Sequence, residues 1–137
     1  MATKSDILTR ITNLGFPEKE VCIGMDEFFS NTTCLDSIGV NIYPNPIEPK
    51  EFYQVLKGLI DNKKANQILV RICDAEEPAD WFYSDTVFII SELSKVELKK
   101  ELETLQPDEI IEGWLNGPPA NINEVSITSK VYSVWWD

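Results

Sequence analysis

The sequence contains no histidine, and this absence narrows the chemistry that is open to it. Histidine is the side chain that most often acts as a general acid, general base or metal ligand near neutral pH. A serine or cysteine nucleophile would therefore lack its usual imidazole partner. The sequence also lacks the Gly-x-x-x-x-Gly-Lys-Ser/Thr and Gly-x-Gly-x-x-Gly loops that cradle phosphates. These absences favour a binding protein over an enzyme, and they predict no resident cofactor.

Cysteine is also scarce. Cys22, Cys34 and Cys73 are odd in number and form no Cys-x-x-Cys pair. Without histidine, a zinc site would need all three thiolates and a carboxylate, so we predict no zinc site. Cys22 and Cys73 lie within apolar runs, which indicates small core residues.

Long apolar runs are missing as well. The longest extends from Thr86 to Ile90 and is bounded by charged or polar residues. A membrane-spanning helix needs roughly 20 predominantly apolar residues, so we expect no membrane partner. No apolar stretch follows Lys4 in the way that a secretion signal requires, and we therefore expect a cytoplasmic protein.

Basic residues are few: 12 lysines and arginines face 23 acids, which gives a net charge of −11. A chain of this charge is a poor partner for nucleic acid, whose phosphates need a basic footprint. The acids are segregated, because no basic residue occurs between Lys19 and Lys50, between Arg71 and Lys95, or between Glu101 and Glu124. This segregation predicts one strongly negative face; the alternative is that the acids serve solubility alone.

The order of predicted elements indicates an α+β fold. Apolar periodicity and capping signals predict, in order, a strand over Ser37–Tyr43, a helix over Pro49–Asp61, strands over Gln67–Cys73 and Asp85–Ile90, a helix opened by the capping box Ser94-x-x-Glu97, and a strand over Lys130–Trp136. That order is the split βαβ pattern of ferredoxin-like folds, in which the last strand lies at an edge of the sheet. We expect residues 1–137 to form a single domain, with an N-terminal extension over 1–36, containing a helix and a short strand, packed on a 37–137 core. A short helical turn is expected to begin at Pro107.

The segment 74–85 is the strongest candidate site. It is much longer than a tight connection between two strands needs, and it combines acids with three consecutive aromatic residues. Such aromatics cannot all face one core from an extended segment, so we expect at least one ring to contact solvent or a partner. The alternative is that the rings fold back onto the sheet while the acids stay solvated. The predicted partner-binding residues here are Asp74, Glu76, Glu77, Asp80, Trp81, Phe82 and Tyr83.

A second candidate surface is formed by Asp26, Glu27 and Asp36, which flank two phenylalanines in a loop-rich region. The alternative is that these phenylalanines anchor the extension on the core. The acids of segment 74–85 match a calcium loop only in part, because the Asp-x-Asp-x-Asp-Gly order is missing, and we predict no metal site.

These features predict a small acidic binding or regulatory protein that docks a basic protein partner, as an immunity-type inhibitor or an adaptor does. Two alternatives stay open. One is a carboxylate-based metal-dependent enzyme. The other is a small-ligand or self-association module, in which the open face of the sheet or an outer strand could contact a second copy to give a homodimer.

Overall fold

The computed structural model describes residues 3–30, 35–42, 45–76, 81–119 and 130–136, and these residues form an α+β fold. A five-stranded antiparallel sheet is combined with four α-helices, as expected of the class. The elements along the chain are α1 (Lys4–Asn13), β1 (Cys22–Gly24), α2 (Met25–Ser30), α3 (Pro49–Asp61), β2 (Gln67–Arg71), β3 (Thr86–Ser91), α4 (Lys95–Glu101), β4 (Glu109–Glu112) and β5 (Lys130–Trp135). A single 3₁₀ turn, Glu103–Leu105, follows α4.

The strand order in the sheet is β1-β2-β3-β5-β4. β5 pairs antiparallel with both β3 and β4, so β3 and β4 run parallel to each other on either side of it. The chain crosses from β3 to β4 through α4. The last strand therefore lies inside the sheet, and the prediction that it forms an edge is wrong.

The ferredoxin-like arrangement is not confirmed, because its first predicted strand does not form. Residues 37–42 of the expected strand lie in turns and bends, and Tyr43 is outside the described residues. Gly39 has a φ of +65°, and the amide of Ile42 donates a hydrogen bond to its carbonyl oxygen at 3.2 Å. The alternation of apolar side chains that indicated a strand here belongs to a tight turn.

Two further local predictions are corrected by the structure. The helical turn expected from Pro107 is replaced by β4, whose Ile110 is buried opposite Val134 of β5. The stretch around Phe28, which the sequence pattern placed in a loop-rich region, forms the short helix α2. β4 forms because it pairs with the distant strand β5, and no local feature of the sequence indicates that pairing.

The helices begin where their capping residues predict. The side chains of Thr3 and Asp6 form a capping box at the start of α1, and those of Ser94 and Glu97 do the same for α4. Pro49 occupies the first turn of α3, where its missing amide proton is not needed. Within the described residues, no helix is long and apolar enough to cross a membrane.

The main core lies between the helices and one face of the sheet. Val70, Val87 and Val134 from neighbouring strands are fully buried there. Residues of the predicted N-terminal extension contribute to the same core, since Ile7 and Ile11 of α1 pack into it and β1 forms one edge of the sheet. The opposite face carries a smaller cluster made of Cys22, Leu69, Phe88 and Ile90, with Trp114 packed against it.

Candidate functional site

The segment between β2 and β3 continues the two strands as a pair of extended arms. The backbone amide of Cys73 donates to the carbonyl oxygen of Tyr83 at 2.9 Å, and the amide of Tyr83 donates to the carbonyl oxygen of Asp74 at 2.9 Å. The Asp74 side chain then accepts a hydrogen bond from the amide of Glu76 at 2.7 Å. This bond closes a turn that fixes the position of the Asp74 carboxylate, while the Glu76 side chain is exposed. Glu77 and Asp80 lie outside the described residues.

The aromatic residues of this segment are not arranged as predicted. Trp81 is 3% exposed and Phe82 is fully buried, and their ring centroids lie 5.1 Å apart in an edge-to-face contact. Trp81 also packs on Phe28 at 6.4 Å. The prediction that rings of this segment are accessible is therefore wrong for Trp81 and Phe82, because both contribute to the core, while Tyr83 is half-buried.

A groove runs between α1 and the first arm, with a volume of about 320 Å³. One wall is apolar and the other carries acids. The groove is lined by Leu8, Thr12, Phe16 and Pro17 on one side and by Cys73, Asp74, Ala75 and Glu76 on the other. The predicted residues Asp74 and Glu76 thus meet an apolar surface, although this surface comes from α1 and the turn that follows it.

A polar network centred on Arg71 adjoins the groove through Cys73. Arg71 Nε lies 3.2 Å from Glu20 Oε2, and its Nη1 lies 3.8 Å from Asp85 Oδ1. The same Asp85 oxygen accepts hydrogen bonds from Cys73 Sγ at 3.2 Å and from Thr86 Oγ1 at 2.8 Å. This network gives Glu20 and Asp85 a cationic neighbour inside the fold, whereas Asp74 and Glu76 line the groove.

Cys73 is the groove residue that could in principle act as a nucleophile. Burial raises the pKa of its thiol to about 12, and the neighbouring Asp85 adds to the effect. The thiol is therefore protonated at neutral pH, and a thiol is far less reactive than a thiolate. The groove is consequently suited to binding rather than to cysteine chemistry.

The other predicted surface does not join this groove. Asp26 accepts a hydrogen bond from the Tyr53 hydroxyl at 2.7 Å, and this bond raises the pKa of Tyr53. Glu27 pairs with Arg10 at 2.7 Å, and Asp36 is exposed in the turn before Ser37. The structure thus brings Asp74 and Glu76 together and leaves these acids in separate settings.

Sequence reasoning missed the apolar wall of the groove. Leu8 lies beside the buried stripe of α1 rather than on it, and Phe16 and Pro17 follow the helix stop at Gly15. The signal that could have indicated this wall was Leu8, an apolar residue outside the stripe of α1 that packs into the core. Among the described residues, no group of three or more histidine, cysteine or acidic side chains is placed to hold a metal ion.

Comparisons with known proteins assign the chain to a family. The family described as "Uncharacterized protein YfbO family" matches residues 2–135. The chain belongs to this family. It is 26% identical over 116 residues to the "Uncharacterized protein YfbO" of Escherichia coli (strain K12), an alignment that covers 84% of this chain and 81% of that relative. No solved structure matches the chain.

Proposed function

We propose that this protein is a small binding or regulatory protein that docks a basic protein partner at the groove between α1 and residues 73–76. The observation that carries the proposal is the pairing of an apolar wall with the carboxylates of Asp74 and Glu76 in one hollow of about 320 Å³. A cationic side chain with a long aliphatic stem fits both halves of such a site.

The chemistry of the occupant follows from these two walls. The stem of a lysine or arginine would lie on Leu8, Phe16 and Pro17, because such stems favour apolar surfaces while their charged ends stay polar. The charged end would then reach Asp74 and Glu76, where charge-assisted hydrogen bonds can form. Arginine is favoured over lysine, since its planar group can engage a carboxylate with two parallel bonds.

The charge of the whole chain supports the same conclusion. A net charge of −11 attracts a basic protein over a distance before contact is made, which raises the rate of association. This attraction is screened by salt, with a Debye length of about 8 Å at physiological ionic strength. Binding is therefore expected to weaken as salt is added. Inhibition of a basic enzyme and adaptor function are both consistent with it.

We propose that the protein binds its partner in the cytoplasm. Cys73 is a free thiol in the structure, and unpaired thiols are typical of proteins that work in a reducing compartment. No specific observation favours the metal-dependent enzyme, and the internal position of β5 removes the edge strand on which self-pairing was predicted.

The test is capture of partners from the native lysate by immobilised protein at low and high salt. The key variant is Asp74→Asn with Glu76→Gln, which removes both charges but keeps the side-chain oxygen that closes the turn. The matched control is Glu109→Gln with Glu112→Gln, which removes the same charge from the exposed residues of β4.

We expect a basic protein that is retained at low salt, released at high salt, lost with the groove variant and kept with the β4 variant. Equal retention by both variants would place the contact elsewhere. Failure to retain any protein in a salt-sensitive way would remove the proposal.

A further inference from the structure

Helix α4 presents an apolar side chain to solvent among lysines. Val96 is 79% exposed, and it is the most exposed large hydrophobic residue of the described chain. The buried side of the helix is occupied by Leu98, with Leu102 following at the helix end. Val96 therefore contributes nothing to the core, and its position needs another explanation.

Two residues at the start of α4 are poor choices for the helix itself. Lys95 lies in the first turn, where the helix dipole disfavours a positive charge. Val96 is β-branched, which restricts its rotamers and lowers its helix propensity. Lys99 and Lys100 lie in the last turn, where the helix dipole favours positive charge. The presence of these two lysines is therefore explained by the stability of the helix. Local choices that weaken an element are expected where a surface serves function.

The lysines of this helix are available to a partner. Within the described residues, Lys95, Lys99 and Lys100 form no ion pair. The acids of the helix have other roles: Glu97 completes the capping box with Ser94, and Glu101 pairs with Lys64. On α4 itself lysines outnumber acids by three to two, and Asp108 and Glu109 line a neighbouring hollow together with Lys95 and Lys99.

A hollow of about 350 Å³ adjoins these residues. It is lined by Val96, Lys99, Lys100, Glu103, Gln106 and Pro107. Gln106 has a φ of +53°, which turns the chain sharply after the 3₁₀ turn and brings Pro107 to the wall of the hollow. Glu103 is the one acid on this wall, and it would orient an anionic occupant toward the lysines.

We propose that this α4 surface, made of Lys95, Val96, Lys99, Lys100 and Pro107, is a second docking surface that binds an acidic segment of a protein partner. An apolar side chain of the segment packs on Val96 and Pro107, and its carboxylates face the three lysines. The surface is separate from the groove at residues 73–76 and opposite to it in charge, so the proposal stands whether or not that groove binds a basic partner.

The net charge of the chain favours a short acidic protein segment, rather than an extended polyanion, as the partner of the α4 surface. A peptide on α4 senses mainly the charges within a Debye length of about 8 Å. On this surface these charges are the three lysines, which form no ion pair within the described residues, together with Asp108 and Glu109 beside Lys95 and Lys99. A nucleic acid or an anionic bilayer extends well beyond that distance and also meets the acids of a molecule at −11. A protein segment is therefore the occupant that the charges favour.

The test uses the full chain and a fluorescein-labelled peptide composed of glutamate and leucine, with binding measured by fluorescence anisotropy. A peptide of lysine and leucine and vesicles of anionic phospholipid serve as alternative probes. The first variant is Lys99→Glu with Lys100→Glu. Its matched control is Lys50→Glu with Lys63→Glu, which changes net charge equally at exposed lysines outside the surface. The second variant is Val96→Ala, which improves helix propensity and so does not threaten folding.

We expect saturable binding of the acidic peptide, a loss of affinity of about tenfold on reversing Lys99 and Lys100, and a loss of about threefold in Val96→Ala. The control pair should change affinity by less than about twofold. Absence of saturable binding, an equal loss in the control pair, or binding only to vesicles or to the basic peptide would each overturn the proposal.

Discussion

Arg71 Nε lies 3.2 Å from Glu20 Oε2, and the two side chains are only 26% and 16% exposed. Arg71 also lies within ion-pair distance of Asp85. One guanidinium therefore lies near two carboxylates, one just before β1 and the other just before β3. Glu20 Oε1 is buried and has no hydrogen-bond partner among the described residues, and Arg71 Nε is not aligned for a hydrogen bond despite its short distance. The stability of a partly satisfied ionic cluster of this kind depends strongly on each residue in it.

Replacing Arg71 with methionine is expected to lower the free energy of unfolding by about 2 kcal/mol. The substitution keeps the apolar stem but leaves two partly buried carboxylates without their counter-charge, and breaking a buried pair from one side is costly. Urea unfolding followed by tryptophan fluorescence measures the change.

The matched control is Arg10→Met, which breaks the exposed pair with Glu27 at 2.7 Å. Exposed pairs contribute little, so a loss of about 0.5 kcal/mol is expected there. Similar losses for Arg71 and Arg10 would show that burial of the cluster has no energetic importance.

The turn at Gly39 provides a second prediction. Its φ of +65° lies in the left-handed region, and a Cβ atom there would lie 2.9 Å from Cζ of Phe52 in α3. Gly39→Ala should therefore combine backbone strain with a steric clash and lower the free energy of unfolding by about 2 kcal/mol.

Gly24→Ala is the control for this turn, because nothing lies within 4 Å of a Cβ atom at Gly24. It should change the free energy of unfolding by no more than about 0.5 kcal/mol. If Gly39→Ala were equally mild in a melting experiment, residues 37–42 would have to adopt a different backbone, such as the strand that the sequence pattern predicts.

Local signals identified most of the elements. The capping boxes at Thr3 and Ser94 and the apolar stripe of α3 depend on neighbouring residues, so they were readable from sequence. The order of strands was not readable, because β4 forms only through pairing with β5 and its residues follow a Pro-Asp-Glu stretch typical of a helix start. The alternation of Ile38 and Val40 misled because burial does not follow it: Ile38 is buried, whereas Val40 is exposed in the turn.

Only the acidic wall of the candidate groove was predictable from the sequence. Asp74 and Glu76 stand out by composition, and both line the groove in the structure. Leu8 and Phe16 could not be joined to them from sequence, because nearly half of the chain separates the two walls of the groove. The run Trp81-Phe82 was misjudged because both rings are buried and pack edge to face in the core, which a regular extended segment would not allow for two neighbouring residues.

The two terminal tryptophans should respond very differently to substitution by phenylalanine. Trp136 is 1% exposed, packs on Phe52 at 5.2 Å and donates its indole proton to the carbonyl oxygen of Leu105 at 2.8 Å. Trp136→Phe loses this bond and leaves a small cavity, which should lower the free energy of unfolding by about 2–3 kcal/mol. Trp135 lies on the opposite face and is half-buried, so Trp135→Phe should cost less than about 1 kcal/mol. Equal losses by chemical denaturation would contradict the assignment of faces in β5.

Stability should fall at high pH because of two protected thiols. Burial is the main cause that raises the pKa of both Cys22 and Cys73 from 9.0 to about 12, with nearby acids adding to it. A raised pKa in the folded state means that the folded protein keeps these protons while the unfolded chain releases them. Their contribution is therefore fully present below pH 9 and is lost as the pH rises from 9 to 12.

This loss can be measured by urea unfolding across that pH range in a Cys34→Ser background, which leaves the two described thiols as the titrating cysteines. Adding Cys22→Ala and Cys73→Ala should flatten the fall in the free energy of unfolding, although tyrosine ionisation will keep part of it. Iodoacetamide labelling at neutral pH offers a second readout: both thiols should react slowly in the folded protein and rapidly in urea, since only the thiolate is nucleophilic. Rapid labelling of Cys73 in the folded state would mean that the thiol in the groove is exposed and ionised, and the groove would then have to be considered as a reactive site.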